Sequence, residues 1–313
     1  MLVLALTWGG TTYPWSDAHV VAPIVLAGVI FVIFAIYESY IDQHMAIYPI
    51  SMFRNWNYSV ASGMMVLYGA LLFALMSYVP NFFQLVYGSS SMDSGLKMLP
   101  LVGGMIAFAI TTGQIIARVG VYKPQAVLGS VFSLIGAAVM HALLYPTLRY
   151  SSFAGILFII GAGTGFLTPV VNILVSTSVP KEFIAVATTG SAFLRSLGGV
   201  IGTTITATVL NNTYKNAIKS VPVDAFNFNH AAILKLPVKY QDIIFDGYTS
   251  AMRDVFAVSI AFAAALVVTA PLIRHVYLQK HNEKPPENAA AADGEEGQQV
   301  SASKIEPIAL AEV

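Results

Sequence analysis

Arg195 stands near the middle of Ala187 to Thr206, an apolar run long enough to cross a membrane. An arginine at bilayer depth costs between ~3 and more than 10 kcal/mol, so it has to face water, a partner or the interior of a bundle. At helical spacing Thr188, Ser191, Arg195, Gly198, Gly202 and Thr206 share one face, while Phe193, Leu194, Leu197, Val200 and Ile201 cover the others. The result is a polar, small-residue stripe against an apolar back. Gly198 and Gly202 form a small-xxx-small pair through which a neighbouring backbone can approach. Arg195 is then either held by a buried carbonyl or set on a polar path, as counter-charge for a ligand or partner to a proton-carrying acid.

Asn172 lies deep in another apolar run, where one interhelical hydrogen bond of ~0.6 kcal/mol explains it as well as ligand contact does. Tyr68 lies within a run that Gln84 follows, and Gln114 lies near the end of a third; these are candidates for the same polar lining. Gly113, Arg118 and Gly120 close that third run. Arg118 reads either as a snorkelling interfacial cation or as a cytoplasmic latch that pairs in one conformation and releases in another. Gly161-Ala162-Gly163-Thr164-Gly165 lacks the strand that would precede a phosphate-cradling loop, so Gly161 and Gly165 read as helix-packing positions, with Pro169 as a kink.

What is missing narrows the chemistry. No Asp or Glu falls in the middle of a span, where a proton carrier would be placed. No His-Glu zinc pattern, GxSxG elbow or paired carboxylates occur, so no catalytic residue, metal or cofactor is expected. The chain has no cysteine, which removes disulfides and thiolate chemistry. Of its 313 residues 56% are hydrophobic and only 10% charged, against ~25% charged in soluble domains. That marks an integral membrane protein, with the lipid bilayer as its surroundings. No basic cluster of the nucleic-acid type appears.

The apolar runs that must position these residues are seven. They cover Val20 to Tyr40, Tyr58 to Pro80, Met98 to Ala117, Gln125 to Tyr145, Phe153 to Val175, Phe183 to Leu210 and Asp254 to Ile273. Met1 to Trp8 is apolar but too short to cross, and reads as the end of a helix begun earlier. A long outer loop is expected over 211–248, and a polar, disordered tail over 277–313. With the tail cytoplasmic, Arg54, Arg118, Lys123, Lys181, Arg274, Lys280 and Lys284 all lie inside, while the short outer loops keep only Lys97 and Arg149. His141 then sits near the outer interface. Of the two sequons, Asn57-Tyr58-Ser59 falls inside and Asn211-Asn212-Thr213 outside, which makes Asn211 the glycosylation candidate.

Leu4 to Trp15, LALTWGGTTYPW, resembles the end of the seventh helix and following loop of the fourteen-helix drug:proton antiporters of the major facilitator superfamily, of the type found in fungi. Tyr78-Val79-Pro80-Asn81-Phe82-Phe83-Gln84 with Ser94-Gly95 and Leu99-Pro100 is similar to that branch's ninth-to-tenth helix connection. Gly113 to Pro124 resembles the second copy of the superfamily's cytoplasmic loop motif, and Gly161 to Pro169 and Phe193 to Gly202 resemble its twelfth and thirteenth helices. The resemblance covers roughly Met1 to Ile273.

It implies an all-α polytopic membrane protein, the carboxyl-terminal half of a major facilitator fold. Residues 1–19 would be a helix remnant and outer loop, 20–57 a linker helix and cytoplasmic loop, and 58–276 a six-helix transporter domain. It also implies proton-coupled efflux of drugs, toxins or secondary metabolites at the cell or vacuolar membrane. The partners would be a small-molecule substrate, protons and an amino-terminal half absent from this chain. On the same scaffold, import of siderophores or amino acids is the alternative, and a non-transporting membrane protein with an interaction role is another.

Overall fold

In a computed structural model, residues 5, 8, 13–14, 16–40, 50–145, 150–219, 221 and 230–274 are described. The tail, Pro146, Arg149, Pro222 and most of Leu4 to Trp15 lie outside them. The described chain forms α1 (Ala18–Tyr40), α2 (Trp56–Val86), α3 (Ser91–Leu96), α4 (Leu99–Val119) and α5 (Lys123–Leu143). Then follow α6 (Tyr150–Thr177), α7 (Ile184–Ala217), α8 (His230–Ile233) and α9 (Val238–Thr269). Six segments among the described residues are long and apolar enough to cross a membrane: those of α2, α3 with α4, α5, α6, α7 and α9. Within α1 a shorter apolar stretch, Ala18–Ile33, joins them. The protein is therefore an all-α polytopic membrane protein.

The six long helices form two interlocked triplets, α2, α4, α5 and α6, α7, α9. The first helix of each packs on the second of the other, α2 on α7 and α6 on α4, and the third helices α5 and α9 meet. Both crossed pairs are close because small residues remove the side chains between them. A Cβ at Gly161 would lie 2.1 Å from the Leu101 carbonyl oxygen, and one at Gly165 would lie 2.5 Å from that of Met105. At the other crossing, a Cβ at Gly198 would fall 2.0 Å from the Val66 oxygen, and one at Gly69 would fall 1.9 Å from that of Arg195. In lipid, where tails are as apolar as side chains, this close packing is what drives helices together.

Several helices outrun the runs read from sequence. α2 passes through Pro80, which a membrane helix tolerates when neighbouring groups satisfy the freed carbonyl. α7 continues to Ala217 and α9 starts at Val238, so the connection expected over 211–248 is far shorter. The added turns are held by contact: the Tyr214 and Tyr248 rings meet edge-on at 5.3 Å, and a Cβ at Gly247 would touch Ala217 at 2.8 Å. At ~1.5 Å per residue the 34 residues of α7 span about 51 Å, well beyond a ~30 Å hydrocarbon core. α4 ends at Gly120, whose φ of +73° in the left-handed region is open to glycine, with its N–H bonded to the Ile116 carbonyl at 2.8 Å.

The helix ends on the side of the α2 start are tied by one short segment before and at the start of α2. Asn55 caps that helix through the Asn57 N–H, and its own amide donates to the Ser178 carbonyl at 2.7 Å. Asn57, buried, donates to the Arg274 carbonyl at 3.0 Å and accepts from the Arg274 N–H at 2.9 Å. The Trp56 indole donates to the Leu272 carbonyl at 2.9 Å while the Arg274 guanidinium lies over its ring. Three residues thus gather the ends of α2, α6 and α9.

Candidate functional site

Most of the small-residue stripe of α7 is a packing seam. Ser191, Gly198, Gly202 and Thr206 are buried, the two glycines directly against Val66 and Ala70 of α2. Small side chains sink where two backbones meet, so the stripe around Gly198 and Gly202 closes on α2. Thr188, at the helix start, is exposed and bonds back to the Ile184 carbonyl. Arg195 has its backbone in the seam against Gly69, and its side chain is half-buried. Its guanidinium makes no hydrogen bond or ion pair with any described residue. Counted from Ile184 at ~1.5 Å per residue, it lies about 17 Å along the helix.

Tyr68 of α2 is buried beside it, close enough for the two groups to interact electrostatically. The Tyr68 hydroxyl meets Thr168 Oγ1 of α6 at 2.7 Å, and Thr168 Oγ1 donates to the Thr164 carbonyl at 2.9 Å. With its single proton spent there, Thr168 accepts and Tyr68 donates. Asn172, one turn on, donates its amide to the Thr168 carbonyl at 2.8 Å. Three candidates read from sequence, Arg195, Tyr68 and Asn172, thus fall on three helices that pack on one another. Thr168 is the partner that links α2 to α6. Its place on the Asn172 face was readable, whereas its bond to a tyrosine 100 residues away was not.

The other candidates stand apart. Gln114 is exposed on the side of α4 away from α6, and Gln84 is half-buried near the far end of α2. Neither makes a hydrogen bond with a described residue. Arg118 is exposed and likewise unpaired, Gly113 has open space around it, and Gly120 is the helix cap already described. Gly161 and Gly165 serve the α4–α6 crossing. Asn211 lies inside α7, and the hydroxyl of its sequon's Thr213 is bound to the Asp254 carboxylate at 2.7 Å. That corrects its placement in an outer loop: a helical sequon with an engaged hydroxyl is no accessible acceptor.

Two polar clusters escaped the sequence. Lys97 Nζ lies 2.7 Å from Asp93 Oδ2, bonds Ser89 Oγ, and sits 5.7 to 5.9 Å from the ring centres of Phe83, Tyr87 and Tyr150. His141 of α5 donates to the Arg253 carbonyl at 2.8 Å, while Arg253 Nε donates to the His141 carbonyl at 3.2 Å. No group of three or more His, Cys, Asp or Glu able to hold a metal ion occurs among the described residues.

No family model matches the chain. Among curated proteins it is similar to the efflux pump apf11 of Gibberella fujikuroi, 28% identical over 94% of this chain and 52% of that protein. It is also similar to the MFS-type transporter VdtG of Byssochlamys spectabilis, 30% identical over 86% of this chain and 49% of that protein. The aspyridones efflux protein of Neocamarosporium betae is 27% identical over 85% of this chain and 48% of its own length. The chain spans about half the length of the curated relatives it matches.

Proposed function

Because the chain is a homologue of fungal MFS-type efflux transporters, we propose that it serves in moving small organic molecules outward across a membrane. Proton-coupled exchange at the cell membrane is the form we favour. The observation that carries this reading is the run of relatives named as transporters or efflux proteins over most of its length. The junction of α2, α6 and α7 supports it, since an uncompensated charge at depth needs a partner that comes and goes. Arg195 would be the principal charged contact, with Tyr68 and Asn172 beside it and Gln84 and Gln114 as outlying polar positions. Arg118, Gly113 and Gly120 would act at the cytoplasmic turn.

Half of a major facilitator transporter closes its substrate site against another six-helix half. An amino-terminal half would therefore be this chain's working partner, and the proton-carrying acid would lie there. The test is reconstitution of this chain, alone and with such a half, in vesicles carrying a pH gradient. Saturable efflux of a labelled organic substrate that collapses with a protonophore is expected. Flux that ignores the gradient removes the proton coupling, and no flux in either preparation removes the transport reading.

A further inference from the structure

We infer that the ligand group recognised beside Arg195 is an organic oxyanion, a carboxylate or deprotonated enol carried by a small molecule. The inference deepens the transport reading and rests on it. Five N–H donors of the guanidinium lie half-buried at the α2–α7 seam with no acceptor among the described residues. The other side-chain donors at the junction are already committed. Tyr68 gives its proton to Thr168, Thr168 gives its own to the Thr164 carbonyl, and the Asn172 amide takes the Thr168 carbonyl. The Tyr68 oxygen keeps its lone pairs, and it interacts electrostatically with Arg195.

None of the carboxylates whose side chains are described pairs with the guanidinium. Asp17 is bound to His19, Asp93 to Lys97 and Asp254 to Thr213. Glu182 lies exposed before α7, and Asp242 and Asp246 belong to the early turns of α9. Arg195 is thus the junction's uncommitted donor and its one charge, and the acceptors left beside it, the Tyr68 oxygen and Asn172 Oδ1, are neutral. A cation is repelled there, neutral molecules gain single hydrogen bonds, and a planar two-oxygen anion matches the guanidinium fork with two charge-assisted bonds. Tyr68 acts as a positioning residue: fixed by Thr168, it holds the space in which Arg195 presents its fork.

The probes are three labelled compounds on one skeleton: naphthalene-2-carboxylate, naphthalene-2-carboxamide and 2-naphthylmethylammonium. Their equilibrium binding is measured on the full chain in phosphatidylcholine vesicles, so that no anionic headgroup competes. The carboxylate is expected to bind about tenfold tighter than the carboxamide, and the ammonium most weakly. Arg195→Gln should bring the carboxylate down to the carboxamide without moving the carboxamide itself. Arg195→Lys should retain part of the preference, and Tyr68→Phe should weaken carboxylate binding a few-fold with the order unchanged. Equal binding of the three probes to the unaltered chain, or a carboxylate preference that survives in Arg195→Gln, overturns the inference. Saturable flux in the transport assay with equal binding of the probes overturns it while leaving the transport reading in place. Absent flux with a retained carboxylate preference does the reverse.

Discussion

Lys97 lies between α3 and α4 and Arg195 well inside α7, and the two cations are treated in opposite ways. Around Lys97, α2, α3, α6 and the turn between α2 and α3 supply a carboxylate, a hydroxyl and three ring faces, leaving the side chain 23% exposed. Around Arg195, α2 supplies a phenol and α6 a hydroxyl and an amide; the phenol bonds the hydroxyl, the amide bonds the Thr168 carbonyl, and the guanidinium has no partner among the described residues. A cation that is satisfied in place is a fastener, joining helix ends as each cation–π contact adds ~0.5–1 kcal/mol. A cation left unsatisfied at depth has a cost that some other group must relieve. The two sites separate a cation that holds helices together from one that, in the proposed function, awaits a ligand.

Gly198→Val should have the largest effect, because it attacks the frame that positions Arg195. A Cβ there meets the Val66 carbonyl oxygen at 2.0 Å, so the α2–α7 crossing has to open. Loss of the folded protein is expected, read as aggregation in detergent chromatography; a monodisperse variant of unchanged melting temperature would show that the seam is not needed.

Arg195→Ala comes next, with transport falling at least about tenfold while the melting temperature holds or rises, since an unpaired charge leaves a half-buried place. Arg195→Lys should restore only part of the rate because lysine lacks the planar fork. Lys97→Met should do the opposite, lowering stability by about 1–2 kcal/mol through the lost ion pair and cation–π contacts and leaving carboxylate preference alone. Thermal unfolding and probe binding on the same preparation decide whether fastener and contact are separable.

The smallest effect concerns a second ionic contact, at the start of α1. The Asp17 carboxylate accepts from the His19 backbone N–H at 2.8 Å and pairs with its ring at 2.7 Å, which hold its pKa below the usual carboxylate value. A lowered carboxylate contributes above its ordinary range and loses that contribution as pH falls through the depressed value. Both partners are largely in solvent, so acidification below about pH 4 should loosen only the Asp17–His19 contact, followed through the His19 ring resonances, with the global melt unmoved.

The six long helices could be read from sequence because their hydrophobic runs are long and bounded by charge. Their ends could not, because tertiary contact sets them. Asn211 to Ala217 contains asparagines, a threonine and a lysine and looks like a loop, yet Tyr214 and Ala217 have α9 to pack on and the helix continues. Arg195 stood out because depth alone makes an arginine expensive. Its stripe alone was ambiguous, because the same small residues suit a lined path and a tight seam, and the position of α2 decides between them. Asn57 reads as a failed sequon, yet it joins the start of α2 to Arg274 across 217 residues, and spacing carries no trace of that. Lys97 looked like a charge in a short loop, since the rings around it come from α6 and from the last turn of α2 and the residue just beyond it.

The most direct test is gradient-driven efflux by wild type, Arg195→Ala and Lys97→Met side by side, each checked for an intact fold. The expected result is a loss of at least about tenfold in Arg195→Ala, with near-normal transport per folded molecule in Lys97→Met. Normal efflux by Arg195→Ala would contradict the assignment of Arg195 as the ligand's counter-charge.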